Sequence, residues 1–226
     1  MALGDSITEG TPEGGPYLPC LAQKLREEGY CFTFVGSRCA PPEHQAGDTL
    51  PIRHEGHGGW LAHDFALRPE GGDESHGRLD QWLQTYRPDL VLLHVGTNDL
   101  ICSYSPAKIV EAIGAIIAII RPRHPGAEVF VAKPIPLYDH ALGEDYGDYL
   151  GLPYPTTFAA GVKALHAALD TTELGEHVTI VDVAAGWDPE ADLTDGIHPS
   201  RSGNRKIAAR WMQAIRERYS PNSIAP

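Results

Sequence analysis

Short apolar runs alternate with amphipathic helical patterns along this sequence, and that alternation most constrains its fold. The runs are rich in β-branched residues and are continuous rather than alternating with polar residues, as expected of strands buried on both faces. They are Cys31–Gly36, Leu90–Val95, Val129–Ala132 and Val178–Val183. The helical patterns cover Tyr17–Glu28, Leu79–Tyr86, Ile109–Ile120, Phe158–Leu169 and Ser202–Tyr219, and Ser105-Pro106 marks the start of the third. Such alternation predicts a three-layer α/β/α fold around a parallel sheet.

The first strand of the predicted sheet is unusually short. It can use only Met1, Ala2 and Leu3 before Gly4, whereas the other predicted strands are longer. Together they make a five-stranded parallel sheet with a flavodoxin-like strand order, in which the first strand is central. A stub in that position indicates either that the chain starts upstream or that the edge geometry is unusual. Because no internal repeat or linker-like stretch is visible, we expect one domain over residues 1–226, with a flexible tail formed by the last few residues.

The charge balance limits the class of partner. With 18 Lys and Arg against 30 Asp and Glu, the 226-residue chain has a formal net charge of −12. Nucleic acids and anionic membranes require a positive footprint, so neither is expected as a partner. The longest strongly apolar stretch, Ala112–Ile120, is too short to span a bilayer, and the N-terminal residues do not resemble a secretion signal. We therefore expect a cytoplasmic protein, or a secreted one if the true N-terminus lies upstream.

The cysteines do not form a metal-binding or redox motif. Cys20, Cys31, Cys39 and Cys102 include no CxxC pair. In an oxidising compartment Cys31 and Cys39 could form a disulfide, although their spacing alone does not establish it. Buried or idle thiols are the favoured interpretation.

Chemically competent residues follow the predicted strands, at the sheet edge where sites form in such folds. Ser6 comes directly after the Gly4-Asp5 turn, and Asp195 and His198 lie three residues apart in a Gly- and Pro-containing loop. A serine nucleophile requires a base within hydrogen-bond reach, and the base requires an orienting acceptor. Each residue also has a simpler interpretation, since Ser6 or Asp5 could cap a helix and His198 could be a surface or capping histidine.

Two further segments could supply hydrogen-bond donors. Asn98 follows the strand at Leu90–Val95, and Gly58-Gly59 forms a backbone turn that could approach a substrate closely. Acyl transfer chemistry requires such donors for the developing oxyanion. In isolation, however, Asn98-Asp99 is more typical of a turn or a helix cap, and a Gly-Gly pair is usually only a turn.

Taken in order, these motifs resemble those of the SGNH (GDSL-type) esterase superfamily over about residues 1–215. The matching segments are Gly4-Asp5-Ser6-Ile7-Thr8-Glu9-Gly10, the Gly59 loop, Gly96-Thr97-Asn98-Asp99 and Asp195-x-x-His198-Pro199. The resemblance implies the SGNH hydrolase fold and deacylation without a metal or other cofactor. By position it implies that Ser6 is the nucleophile, His198 the base and Asp195 its orienting group. It likewise implies an oxyanion hole made of the N–H groups of Ser6 and Gly59 and the Asn98 amide.

Within the superfamily, residues 54–60 and 195–200 are most similar to the acetylxylan-esterase branch of carbohydrate esterases. We therefore expect a serine esterase that removes a short acyl group, in particular acetyl, from a sugar or similar polyol. One alternative is an acyltransferase that uses the same residues on a small metabolite. Another is a non-catalytic, carbohydrate-binding descendant of the fold. The oligomeric state is left open.

Several other residues are candidates for binding. Trp60, Tyr138 and Trp187 could line a substrate pocket, and Tyr138 belongs to a long insert at residues 137–155. The tyrosines of this insert could stack on a sugar or could pack the loop onto the domain. Acidic residues of the same insert could gather calcium, but a solvated loop is favoured. His54, His57 and His63 lack typical zinc spacing, so no metal site is predicted.

Overall fold

The computed structural model describes residues 1–41, 51–67, 76–137 and 158–221, and within them it contains one six-stranded sheet. In chain order the strands are β1 (Ala2–Gly4), β2 (Arg38–Cys39), β3 (Arg53–Gly56), β4 (Leu90–His94), β5 (Glu128–Ala132) and β6 (Val178–Val181). Their order across the sheet is β2-β3-β1-β4-β5-β6. Every neighbouring pair is parallel except β2 and β3, which are antiparallel. The expected tail at 222–226 lies outside the described residues.

Helices cover both faces of this sheet. They are α1 (Ser6–Glu9), α2 (Leu18–Glu27), α3 (Leu79–Thr85), α4 (Thr97–Ile101), α5 (Pro106–Arg123), α6 (Phe158–Thr171), α7 (Pro189–Asp192) and α8 (Arg201–Arg218), together with a 3-10 helix at Ala62–Phe65. As predicted, Ser105 is the N-cap of α5, and its side chain accepts a hydrogen bond from the Lys108 N–H. None of the helices in the described ranges is long and apolar enough to cross a membrane.

The sheet separates two apolar clusters, so the predicted three-layer architecture is confirmed. On one face Leu93 and Val131 pack with α3, α5 and α6. On the other face Leu92 and Phe130 pack with α2 and α8, whose Trp211 is fully buried. Side chains of successive strand residues point to opposite faces, and this alternation assigns β4 and β5 to both clusters at once.

The prediction of five parallel strands is wrong in two respects. The run Cys31–Gly36 is not a strand, although Phe32 and Phe34 pack half-buried against the core. The position beside β1 is occupied instead by β3, which pairs Glu55 with Leu3. The sequence Arg53-His54-Glu55-Gly56 contains no apolar residue, so its pattern did not indicate a strand. β2 adds a short antiparallel edge, paired with β3 through Arg38 and His54.

The short first strand lies inside the sheet. β1 has three residues and pairs with β3 on one side and with β4 on the other. The N-terminal ammonium of Met1 donates to the Leu90 carbonyl at 2.7 Å, and burial lowers its pKa to about 5. The position of β1 is therefore central, as a flavodoxin-like order predicts.

The cysteines contribute no cross-link within the described residues. Cys31 and Cys39 are exposed and are not joined by a disulfide, while Cys20 and Cys102 are half-buried thiols. Burial raises the pKa of the Cys20 and Cys102 thiols, which makes the reactive thiolate form less accessible.

Candidate functional site

The turn between β1 and α1 presents Ser6 at the carboxyl edge of the sheet. Asp5 is the N-cap of α1, and its Oδ1 accepts a hydrogen bond from the Ile7 N–H at 2.9 Å. Gly4 is required by close packing, since a Cβ there would lie 2.4 Å from both the His94 carbonyl and Thr8 Oγ1. Asp5 therefore supplies the cap, and the Ser6 hydroxyl is left for another partner.

The carboxyl group of Asp5 is buried beneath this turn. Burial raises its pKa to about 7, and the nearby charge of Asp99 contributes in the same direction, whereas the Ile7 N–H acts against them. Folding thus favours the neutral form of Asp5 in the acidic range. The segment carrying Ser6 is consequently anchored in the core rather than in solvent.

His198 connects Ser6 to Asp195. Its Nε2 lies 2.9 Å from Ser6 Oγ, and its Nδ1 lies 2.7 Å from Asp195 Oδ2. These distances are hydrogen-bond lengths, and the carboxylate contact orients the ring so that Nε2 faces the hydroxyl. The three residues that the sequence singled out for nucleophile, base and orienting group are therefore brought together.

Asp195 is held by its own loop. Its Oδ1 accepts from the N–H groups of Ile197 at 2.9 Å and His198 at 2.7 Å. Partial burial alone would raise the pKa of Asp195, but the hydrogen bonds from the backbone and ring of His198 and from Ile197 lower it below the usual value. The carboxylate therefore remains ionised at neutral pH, next to an imidazole that could acquire positive charge.

The loop after β3 lies against the Ser6 segment. The His57 N–H donates to the Gly4 carbonyl at 2.8 Å. A Cβ built on Gly58 would stand 3.7 Å from Ser6 Cβ, and Gly59 follows with a positive φ of 80°. Such a φ favours glycine, and because glycine has no side chain, a substrate can approach the exposed backbone closely. Gly59 is thus carried by a loop in direct contact with the residues around Ser6.

Asn98 contacts the same loop. It lies in α4, which begins after Gly96 with a φ of 109°. Its Nδ2 donates one hydrogen to the Trp60 carbonyl at 2.9 Å, which fixes the amide plane and leaves the second N–H available. The alternative in which Asn98 forms a local turn or caps the helix is wrong. The neighbouring Asp99 carboxylate accepts from Ala62 N–H and ties α4 to the 3-10 helix.

The aromatic candidates have different positions. The Trp60 ring is buried and stacks on His57, whose ring in turn stacks on Trp82, so it is the Trp60 carbonyl that contacts Asn98. Trp187 is half-buried next to α8, where its Cη2 would be 2.7 Å from a Cβ on Gly203. Tyr138 and the rest of the insert between 138 and 155, including the acidic residues expected to form a solvated loop, lie outside the described residues.

The three histidines considered for a metal have separate partners. The His54 ring accepts from the Gly56 N–H, His57 contacts Glu55, and His63 lies 3.3 Å from Asp64. Burial and the nearby charge of Arg38 lower the pKa of His54 to about 4. Across the part of the chain that the structure describes, no three His, Cys, Asp or Glu side chains are placed to hold a metal ion.

Sequence reasoning missed two charged residues beside the site. Glu9 Oε2 accepts from the Gly58 N–H at 2.7 Å, and Glu9 Oε1 pairs with Arg38 Nη2 at 2.8 Å. Glu9 lies three residues after Ser6 on α1, which was the available signal, since that spacing places two side chains on neighbouring parts of a helix. Arg38 gave no signal because its partner is distant in the sequence.

The segments that carry this arrangement match a known protein family. The model of the GDSL-like lipase/acylhydrolase family matches residues 2–206, nearly the whole chain. The chain belongs to that family. The match includes β1 and the Ser6 turn, the Gly59 loop, α4 and the Asp195–His198 loop, so all the segments described above fall within it.

The GDSL-like family assignment agrees with individual relatives. A multidomain esterase of Ruminococcus flavefaciens is 25% identical over an alignment of 244 residues that includes 100% of this chain and 29% of the relative, so the chain spans less than a third of that protein. A family 3 carbohydrate esterase of Talaromyces cellulolyticus has a TM-score of 0.73 at 26% identity, covering 97% of this chain and 98% of its own. A family 3 carbohydrate esterase of Clostridium thermocellum has a TM-score of 0.65 at 27% identity, covering 96% and 94%.

Proposed function

We propose that this chain is a serine esterase that hydrolyses short acyl esters, in particular acetyl esters, of a sugar or similar polyol. One observation carries the proposal, namely the continuous hydrogen-bonded series from Ser6 Oγ through the His198 ring to Asp195 Oδ2. A serine, a histidine and a carboxylate in this order can perform nucleophilic acyl transfer. No metal or other cofactor takes part in the proposed reaction.

In the acylation step, Ser6 Oγ attacks the ester carbonyl carbon while His198 Nε2 accepts the hydroxyl proton. The carbonyl oxygen becomes an oxyanion, stabilised by the N–H groups of Ser6 and Gly59 and by the second amide N–H of Asn98. Asp195 stabilises the imidazolium through Nδ1. Collapse of the tetrahedral species breaks the bond to the alcohol, which leaves with the proton that His198 returns.

In the deacylation step, water attacks the acyl group on Ser6 and His198 again accepts the proton. A second oxyanion occupies the same three donors. Its collapse releases the carboxylic acid and returns the proton from His198 to Ser6 Oγ. The base and the donors are therefore used twice, once for each half of the reaction.

Two observations support a carbohydrate ester as the substrate. The two solved structures named above are family 3 carbohydrate esterases that match this chain over nearly its whole length. In addition, Gly58, Gly59 and Asp195 are exposed, so the described part of the site rim has room for a bulky alcohol group. A small acyl group would then occupy the donors next to Ser6 while the sugar remains at the surface.

The experiment compares acetate release from acetylated xylo-oligosaccharides by the wild-type chain, Ser6→Ala and Ser105→Ala. Ser105 is an exposed helix cap whose side chain accepts from the Lys108 N–H, and it serves as the matched control. We expect Ser6→Ala to lose activity by about 10⁴-fold or more, with Ser105→Ala unaffected. Activity of Ser6→Ala within tenfold of wild type would refute the mechanism. No release from the sugar ester, despite Ser6-dependent hydrolysis of 4-nitrophenyl acetate, would refute the substrate class.

Acceptor alcohols included in the same assay test the acyltransferase alternative. If hydrolysis is the reaction, free acetate accounts for the ester consumed when an added sugar competes with water. A new ester formed faster than acetate would overturn hydrolysis as the main activity while leaving the role of Ser6 intact.

A further inference from the structure

The glycine loop (Gly56–Trp60) is held by an ion pair that lies outside the proposed triad, which consists of Ser6, His198 and Asp195. Arg38 Nη1 donates to the Gly56 carbonyl at 3.0 Å, and Arg38 Nη2 pairs with Glu9 Oε1 at 2.8 Å. Glu9 Oε2 then accepts from the Gly58 N–H at 2.7 Å. The pair therefore forms a bridge attached to the loop at two points, two residues apart.

We propose that Glu9 and Arg38 are positioning residues for the reaction, which hold the Gly59 N–H where it donates to the oxyanion. This inference rests on the proposed function, because it assigns a task to the same oxyanion hole. Neither side chain is required to touch the substrate. Their effect is transmitted through the backbone of the glycine loop.

The composition of the loop explains why it requires such support. Gly58 and Gly59 are both exposed, and glycine loses more conformational freedom on ordering than any other residue. A donor contributes to catalysis only when it lies near 3 Å from the developing oxyanion, so a loosely held N–H is ineffective. The contact with Glu9 fixes the His57–Gly58 peptide, which directly precedes the Gly58–Gly59 peptide that carries the Gly59 N–H.

The same short helix carries the nucleophile and the carboxylate of this bridge. Ser6 and Glu9 are the first and last residues of α1. A Cβ on Gly58 would stand 2.8 Å from Glu9 Oε2 and 3.7 Å from Ser6 Cβ, so Gly58 is in contact with both ends of the helix. A shift of the loop relative to Ser6 is therefore opposed by the hydrogen bond to Glu9. The bridge thus fixes the distance between nucleophile and oxyanion donor.

Charge explains why the bridge is a pair rather than a single carboxylate. A lone negative charge on Glu9 so near the oxyanion would disfavour the negative charge that develops there. Arg38 compensates it and adds a second attachment at Gly56. The side chains of Glu9 and Arg38 are 31% and 43% exposed, so solvent screens part of this effect but leaves the geometric one intact.

The electrostatic and geometric effects together predict an unusual order of kcat among variants. Arg38→Ala removes the compensation and one attachment, so we expect kcat for 4-nitrophenyl acetate to fall about 30-fold with KM changed less than threefold. Glu9→Gln keeps an acceptor for the Gly58 N–H without its charge, and its kcat falls less than fivefold. The double variant Glu9→Gln/Arg38→Ala recovers at least fivefold over Arg38→Ala. A purely structural role would not produce this recovery.

The matched control is Arg123→Ala, which breaks another exposed Arg–carboxylate pair. Arg123 binds Asp80 between α5 and α3, with exposures of 43% and 46%, and it contacts none of the proposed site residues. We expect its kcat to equal that of wild type. If Arg38→Ala does not fold, Arg38→Lys replaces it, because a lysine ammonium lacks the fork that reaches Gly56 and Glu9 together and kcat again falls at least fivefold.

Three results would overturn the inference. The first is a kcat within twofold of wild type for Arg38→Ala, or for Arg38→Lys where that variant replaces it. The second is a loss confined to KM. The third is a double variant whose kcat is no higher than that of Arg38→Ala. Ser6→Ala measured in parallel separates the two proposals. If Ser6→Ala is inactive while the Arg38 and Glu9 variants match wild type, the positioning role fails alone. If Ser6→Ala is active, the proposed function itself fails.

Discussion

The segment that carries Ser6 and the segment that carries His198 meet at the same hydrogen bond but are held in different ways. Around Ser6, the side chains of Asp5, Ile7 and Thr8 are buried, and Gly4 is in tight contact with β4. Around His198, the Asp195 side chain is 53% exposed, and its loop is held by hydrogen bonds among residues 192–200. Ser6, the proposed nucleophile, is thus positioned by the core, whereas His198, the proposed base, is positioned locally.

This difference indicates how substitutions should act. Changes in the Ser6 segment affect packing and the burial of a titratable group, so they should alter stability together with activity. Changes in the Asp195–His198 loop break contacts near the surface, so they should alter activity with little change in stability. The predictions below test this contrast, beginning with the largest expected effect.

Asp195→Ala should separate activity from stability. Removing the carboxylate deprives the His198 ring of its orienting acceptor and of compensation for its positive charge, so kcat/KM should fall about 10³- to 10⁴-fold. Because Asp195 is exposed, the midpoint of thermal unfolding should fall by no more than about 4 °C. Steady-state hydrolysis of 4-nitrophenyl acetate and thermal denaturation measure the two quantities.

Asp182→Ala is the control for this variant. Asp182 is also exposed and accepts from a backbone N–H two residues on, that of Ala184, but it contacts no histidine. It should keep full activity. A large loss of stability in Asp195→Ala, or equal activity losses in both variants, would contradict local positioning of the base.

Asp5→Asn should change the pH dependence of stability. The folded-state pKa of Asp5 is raised to about 7, so the folded protein binds this proton more tightly than the unfolded chain does. Wild type is therefore most stable relative to Asp5→Asn at acidic pH. This advantage is lost as the pH rises through about 7. Between pH 5 and pH 8 the free energy of unfolding should shift by about 3 kcal/mol in favour of the variant. Urea denaturation at several pH values measures it.

Asn preserves an oxygen acceptor for the Ile7 N–H, so the cap of α1 is maintained in this comparison. Asp170, an exposed carboxylate on α6, provides the control. The free energy of unfolding of Asp170→Asn relative to wild type should not shift by a comparable amount between pH 5 and pH 8. If the free energy of unfolding of Asp5→Asn relative to wild type is constant from pH 5 to pH 8, the core does not hold Asp5 as described.

Ser200→Ala tests the smallest effect, the anchoring of α8 directly after His198. The Ser200 side chain accepts from the Gly203 N–H at 3.3 Å and donates to the Ala191 carbonyl at 3.1 Å. Loss of this cap should lower the free energy of unfolding by about 1 kcal/mol, with kcat/KM reduced less than threefold. Ser105→Ala, at the start of α5, should show a similar loss of stability with no effect on activity. A tenfold loss of activity in Ser200→Ala would mean that the position of the Asp195–His198 loop depends on α8.

Sequence reasoning located the elements whose signals are local. Leu90–His94 and Glu128–Ala132 are apolar runs in a doubly covered sheet, and the structure has strands in both places. β3 gave no such signal because its buried Glu55 is stabilised by contacts with Ser37 and His57, which a residue pattern does not reveal. Cys31–Gly36 gave a false signal, since apolar residues can pack half-buried without joining a ladder.

In the candidate site, too, some residues have local sequence signals and others depend on tertiary contacts. Ser6, Asp195 and His198 could be selected because they occur in short motifs after predicted strands, where parallel topology brings loops together. Glu9 and Arg38 could not be paired in advance, because their contact depends on how β2 lies against α1. The partner of Asn98, the Trp60 carbonyl, was likewise set by tertiary structure rather than by its neighbours in sequence.

Covalent labelling of Ser6 tests the central claim most directly. A fluorophosphonate reacts with a serine whose hydroxyl is activated by a neighbouring base. We predict a single adduct on Ser6 by intact-mass measurement and peptide mapping, loss of esterase activity in proportion to labelling, and at least 100-fold slower labelling in folded His198→Ala. A stoichiometric adduct on another residue, or full activity in protein fully labelled at Ser6, would contradict the account.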